Sequence, residues 1–234
     1  IGTEALEDAT KASGSIAIGH KAASNLTVAM GNIAIGSGSM GKGTIVGKSG
    51  TGESFNIGVG GFTLENLTTG QDNIAVGYLA GQDITTGILN IAVGKQAMLQ
   101  ATDNTHNIAI GYRAMRDSSA SADKNIVVGF QAAYEGDLSG DNNIIIGREA
   151  AAIATSLSSN IIIGYQAAEQ AVGAAARNII MGYSSSAKIT TGDDNIIVGT
   201  SAGPDVTTNV QNRYTSICYT SRLNGIRWAN RKKV

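Results

Sequence analysis

A five-residue phrase, Asn-Ile-x-(Ile/Val)-Gly, complete at Asn143-Ile144-Ile145-Ile146-Gly147, recurs along this chain at intervals too short to hold a pair of helices. Its closing glycine falls at Gly2, Gly19, Gly36, Gly60, Gly77, Gly94, Gly111, Gly129, Gly147, Gly164, Gly182 and Gly199. Subtracting neighbours gives steps of 17, 17, 24, 17, 17, 17, 18, 18, 17, 18 and 17. A period of that length matches one turn of a parallel β-coil, which buries its apolar face only when neighbours stack on it. The expected fold is all-β: a parallel β-roll solenoid of about twelve coils of 17–18 residues over residues 1–203, with an irregular coil or insertion at 37–60. A left-handed helix of hexapeptides does not fit. Stepping by six from Ile144 meets Ala150, Ser156, Ile162 and Ala168, which leaves one strongly aliphatic site per coil instead of three.

Alternate strand residues point to opposite faces, so the second and fourth positions of the phrase share a face and the third opposes them. The second is Ile almost throughout and the fourth Ile, Val or Met, which assigns them to the inside of the coil. The third is Ala34, Gly58, Ala75, Val127, Ile145, Ile162 or Ile180, so the outward face is apolar too and grows toward the C-terminal end. A strand apolar on both faces is covered on both. The expectation is that the coil covers one face and another chain the other, with a space between chains that widens along the rod.

The remaining positions read as spacer. Thr68-Thr69-Gly70, Thr85-Thr86-Gly87, Ser139-Gly140 and Thr191-Gly192 place a glycine three residues before the Asn, where a positive φ would reverse the chain. Asn73, Asn90, Asn107, Asn125, Asn143, Asn160, Asn178 and Asn195 recur in register and are expected to form a hydrogen-bonded ladder. After each phrase a second strand of the coil is expected, with a small residue three places past the glycine, as in Tyr78-Leu79-Ala80 and Tyr165-Gln166-Ala167. The slot right after the glycine holds Lys95, Arg148 and His20 in some coils, so it is exposed; Tyr78, Tyr112, Phe130, Tyr165 and Tyr183 in others would form an intermittent aromatic column. These five are the candidate ligand-binding residues, through rings stacking on sugars. A ring stack that only covers neighbouring coils is the plainer reading.

Residues 37–60 imitate a phosphate loop twice, in Gly36–Gly43 and in Gly43–Ser49. The first has glycine where Ser or Thr belongs and the second is one residue short, and strand and turn signals follow where a helix is needed, so nucleotide binding is not expected. His20 and His106 occupy unrelated places in the repeat and neither has metal-ligand spacing, while Asp141 and Asp193-Asp194 sit in turns where Asp is ordinary. No catalytic residue, metal or cofactor is assigned. No run of about 18 apolar residues is present, so no membrane insertion is expected.

Charge is divided along the chain. All 18 acidic residues lie in 1–205 with 11 of the 17 basic ones, a balance of 11 − 18 = −7, whereas Arg213, Arg222, Arg227, Arg231, Lys232 and Lys233 follow. Pro204, the only proline, marks the expected exit from the repeat, and 204–234 reads as a basic cap or docking segment in which Trp228, Tyr214 and Tyr219 cover the last coil. Docking to an acidic neighbour is expected there, not nucleic-acid binding. Cys218, the only cysteine, excludes an intrachain disulfide. The phrase is already in register at Ile1-Gly2, so the chain is expected to begin within the array.

The combination Asn-Ile-Ala-Ile-Gly-x-x-Ala with Thr-Thr-Gly between copies resembles the head repeats of trimeric autotransporter adhesins and, more closely in its spacer, repeats of bacteriophage tail-fibre and receptor-binding proteins. The resemblance covers about residues 1–203. It implies a homotrimer of parallel β-rolls whose apolar outer faces meet on a threefold axis. It further implies an attachment role without chemistry, a host surface glycan or protein as partner, other virion proteins bound through the basic segment, and a place on the virion. A bacterial surface adhesin is the alternative, and a polysaccharide-degrading tailspike the third. The period is longer than the adhesins' usual one and 213–234 resembles none of their neck, stalk or anchor, which favours the phage reading.

Overall fold

The computed structural model describes residues 1–118, 122–190, 192–203, 205–206 and 215–218, and among them the regular elements are all short β-strands. Twelve of these make one parallel sheet, from Ile16–Ile18 at one end to Ile196–Gly199 and then Thr215–Cys218 at the other. Successive phrases pair in register: Ile144 lies opposite Ile161, Ile145 opposite Ile162, Ile146 opposite Ile163. The chain is a parallel β-solenoid of about eleven turns. At about 4.8 Å between strands the sheet runs roughly 50 Å along the axis. The 24-residue step is one long coil, because Ile33 pairs with Ile57 and Ile35 with Val59 without interruption. Its surplus residues form a side lobe in which Ile45–Val46 pairs with Leu26–Val28. Turns and strands, not helices, follow both imitations of a phosphate loop.

The two faces of the strand are the reverse of those expected. The third position is the interior one: Ala34, Ala75, Val127, Ile145 and Ile162 are fully buried. The second and fourth positions face out, with Ile16 49% and Ile196 42% exposed. A coil of 17 residues with a three-residue strand is thin, and it encloses the single central side chain more readily than the flanking pair. Nor does the growth of the third position widen a gap between chains. Where that position is Gly58, Ala92 or Ala109, the opposite wall supplies Leu64, Met98 or Met115; where it is Ile145, Ile162 or Ile180, the wall supplies Ala151, Ala168 or Ser186, all buried. In these coils a small residue on one wall is offset by a large one on the other, as close packing requires, whereas Ala75 and Gly81 are small on both walls and Leu64 and Ile84 reach the space beside them.

That opposite wall is not a second strand. The residues two and four places after each phrase glycine are left-handed, as at Gln96 (φ 60°) and Met98 (φ 50°) or Arg113 (φ 55°) and Met115 (φ 52°). Left-handed residues turn the peptide units so that backbone donors reach both neighbouring coils. Arg113 N donates back to Lys95 O at 3.0 Å and Met115 N donates forward to Ala132 O at 2.9 Å, which satisfies groups that a buried wall would otherwise strand. Among the described residues second strands occur only locally, as Leu26–Val28 with Ile45–Val46 and Lys188–Ile189 with Asp205–Val206. The small residue three places past the glycine, expected where a second strand comes close, is buried in the turn wall instead, at Ala80, Ala114, Ala132 and Ala167.

The spacer glycines also serve a different end from the one expected. Gly70, Gly87 and Gly140 are not left-handed; the left-handed residue is the one just before the Asn, such as Asp72 (φ 56°), His106 (φ 61°) or Asn142 (φ 60°). Glycine is needed because a Cβ at Gly70, Gly87 or Gly140 would lie 2.6, 2.4 or 1.7 Å from a carbonyl oxygen of the next coil. Close stacking, not chain reversal, selects them.

The asparagine ladder is present and buried. Asn143 Oδ1 accepts the backbone N–H of Asn160 at 3.0 Å and its Nδ2 at 3.1 Å, while Asn143 Nδ2 donates to Asn125 Oδ1 at 2.9 Å and to Leu157 O at 2.6 Å. One side chain thus serves groups in the coils on either side. Asn143→Ala would strip the Asn160 N–H and Leu157 O of these partners in a dry interior, at about 1–3 kcal/mol per buried orphan. The expected loss is about 3 kcal/mol, read by chemical denaturation. Asn195 Oδ1, at the ladder's end, accepts nothing among the described residues, so Asn195→Ala is expected to cost clearly less.

The array reaches beyond Pro204. Thr215–Cys218 pairs with Ile196–Gly199, placing Cys218 opposite Gly199, so Tyr214-Thr215-Ser216-Ile217-Cys218 is a worn copy of the phrase, 218 − 199 = 19 residues on. Tyr214, Tyr219, Trp228 and the six basic residues assigned to a cap lie outside the described residues.

Candidate functional site

The slot after the phrase glycine points out of the coil at the corner between strand wall and turn wall, and register stacks it into a column. In seven consecutive coils it holds Tyr78, Lys95, Tyr112, Phe130, Arg148, Tyr165 and Tyr183. Tyr112 and Phe130 are stacked with centroids 5.1 Å apart and planes at 26°, and Tyr165 and Tyr183 likewise at 5.1 Å and 23°. The Arg148 guanidinium joins the two pairs, 5.4 Å from the Phe130 centroid and 5.6 Å from that of Tyr165. At the other end the Lys95 ammonium stands 5.8 Å from the Tyr78 centroid, and Phe62 meets Tyr78 edge-on at 6.0 Å. All five aromatic candidates therefore belong to one column, and the cations at Lys95 and Arg148 fill its gaps.

This geometry decides how the rings present themselves. Each stacked pair spends ring faces on its partner, and Arg113 at 4.9 Å from the Tyr112 centroid takes up another. Rings stacked along the axis show the outside their edges, which carry the positive end of the ring quadrupole, and their hydroxyls.

A second cluster flanks the column and was not foreseen. Arg113 Nε donates to Gln96 Oε1 at 2.8 Å, and the Nη1 atoms of Arg113 and Arg116 both donate to the Tyr134 hydroxyl at 3.0 Å. Arg116 also forms a two-pronged pair with Asp117, and this hydrogen bond holds its guanidinium above the ordinary arginine pKa. The signal lay in the positions two and five after the glycine, where Gln96, Arg113 and Gln131, then Arg116 and Tyr134, align once the register is known. The histidines are apart: His20 borders a cleft of about 320 Å³ with Lys21, Phe62 and Glu65, and His106 is the left-handed residue before Asn107.

The sheet itself makes the second candidate surface. Eleven phrase strands from Ile16–Ile18 to Ile196–Gly199 present two outward side chains each, 11 × 2 = 22, and all of them are Ile, Val or Met. None is fully buried. Two unbroken apolar columns about 7 Å apart thus run along these eleven strands.

No protein-family model, curated protein or solved structure matches the chain. Fold and surfaces define its class: a parallel β-solenoid with an open apolar sheet face and an aromatic, cationic flank. Among the described residues no helix is long and apolar enough to cross a membrane.

Proposed function

We propose that this chain is a structural and adhesive part of a virion tail fibre or receptor-binding protein, three parallel copies of which close their apolar sheet faces on a common axis. The observation that carries this reading is the pair of exposed aliphatic columns. Covering 22 such side chains stabilises the assembly by on the order of 20 kcal/mol per chain at about 25 cal/mol per Å², which exceeds the roughly 4–15 kcal/mol that association costs. A face only two columns wide suits a threefold axis, where each column meets a different neighbour. The Thr-Thr-Gly spacer and its resemblance to tail-fibre repeats support the virion location. The flank, which lies off the sheet face, remains free to meet a host surface glycan or protein, while the basic residues after Arg213 dock other virion proteins. The labelled chain is expected to bind particular bacterial strains and to block adsorption of the virion that carries it; failure to bind any strain that virion infects overturns the adhesive role.

A further inference from the structure

We propose that the flank around Lys95, Arg113 and Arg116 is a binding site for a carboxylated polysaccharide lying along the rod. The inference rests on the adhesive reading above and adds the charge class of the ligand.

Neutral sugars bind aromatic side chains by lying on open ring faces, and in this column Tyr112, Phe130 and Tyr165 each have a ring partner and a cation partner, which leaves Tyr183 at the end as the ring stacked on one side only. What it offers outward is ring edges, hydroxyl donors and cations, a set that favours anions. Over two consecutive coils the flank presents Lys95, Arg113 and Arg116, and only Arg116 is matched by a carboxylate. Neither Lys95 nor Arg113 forms an ion pair among the described residues. Residues 1–205 carry a balance of −7, so this patch departs from the sign of its surroundings.

Arg113 is also held ready. Gln96 and Tyr134 fix its Nε and Nη1, leaving Nη2 without an acceptor among the described residues. A guanidinium positioned in advance loses little side-chain entropy when it takes a carboxylate. Coil stacking sets the spacing: Lys95 and Arg113 are one coil apart, about 5 Å along the axis, and Arg148 lies three coils from Lys95, about 14 Å. A linear polyanion following the rod would meet these cations in turn, and three flanks in one assembly would add avidity.

Titration calorimetry of the full chain against polygalacturonate, hyaluronate and neutral dextran tests this. At least one acidic polymer is expected to bind, dextran is not, and binding should weaken about tenfold between 50 and 300 mM salt. Lys95→Gln with Arg113→Gln is expected to lower affinity at least about tenfold, while Arg177→Gln, a cation already paired with Asp193 and Asp194, leaves it unchanged. Lys95→Gln alone touches no hydrogen bond of the fold and should still cost about threefold, so loss of folding in the double variant does not mask the result. Binding of dextran as tight as that of the acidic polymers, no binding of either acidic polymer, or affinity indifferent to both substitutions overturns the inference. Strain binding that survives those failures leaves the adhesive role standing, and its loss removes both.

Discussion

Gly147→Ala is expected to cost about 4 kcal/mol, a large loss for one added methyl group. Two independent penalties meet there. The backbone has φ +140°, a region essentially reserved to glycine, and a Cβ would lie 2.3 Å from Gly164 O in the next coil. Strained backbone of this kind costs about 1–3 kcal/mol, and overpacking against an immovable carbonyl costs a similar amount. All twelve phrase glycines have φ between +123° and +143°, so the site is one instance of a rule that runs through the array. Because coils interact mainly with their neighbours, the damage should be local. Hydrogen exchange should show lost protection in the coils around Gly147 and Gly164, with the distant coils little changed. Uniform loss across the rod, or none, would contradict the account of these glycines.

The second large effect separates the two faces of the strand. Ile110 and Ile146 are 40% and 37% exposed in the single chain, so Ile110→Asp with Ile146→Asp should leave the coil folded. In the proposed trimer the same change would bring carboxylates together at two levels of a dry axis, each costing several kcal/mol unless paired. The double variant is expected to keep its circular dichroism and to sediment as a single chain. Ile145→Asp, on the fully buried third position beside Ile146, is expected to unfold its region outright. If Ile145→Asp folds and the outward pair unfolds, the strand has been read inside out.

Much of the architecture was legible from the spacing of one phrase. In-register stacking of Asn143 on Asn160 follows from a constant period, and so does the alignment of the aromatic slot. The direction of the strand face was not legible, because Ile-x-Ile with an apolar x is apolar on both sides. What settles it is the size match between Ala92 and Met98 or Ile145 and Ala151, residues six apart that reveal their relation only when the turn wall is known to face the strand. The spacer glycines misled for a related reason: Gly87 looks like a turn residue, whereas the constraint on it comes from Asn104, a coil away. In the flank, the five aromatic residues stood out as a type, but Lys95 and Arg148 registered only as signs of exposure, and Arg116 with Tyr134 occupied a position with no constant residue. Thr215–Cys218 escaped because cysteine replaces the glycine that defines the repeat.

The central claim is that the outward aliphatic columns are an interface, and the mass of the folded particle tests it most directly. Light scattering coupled to size exclusion of the unmodified 23.9 kDa chain is predicted to return the mass of three chains, unchanged on dilution. A particle of one chain would contradict the account, since it would leave two unbroken apolar columns facing water.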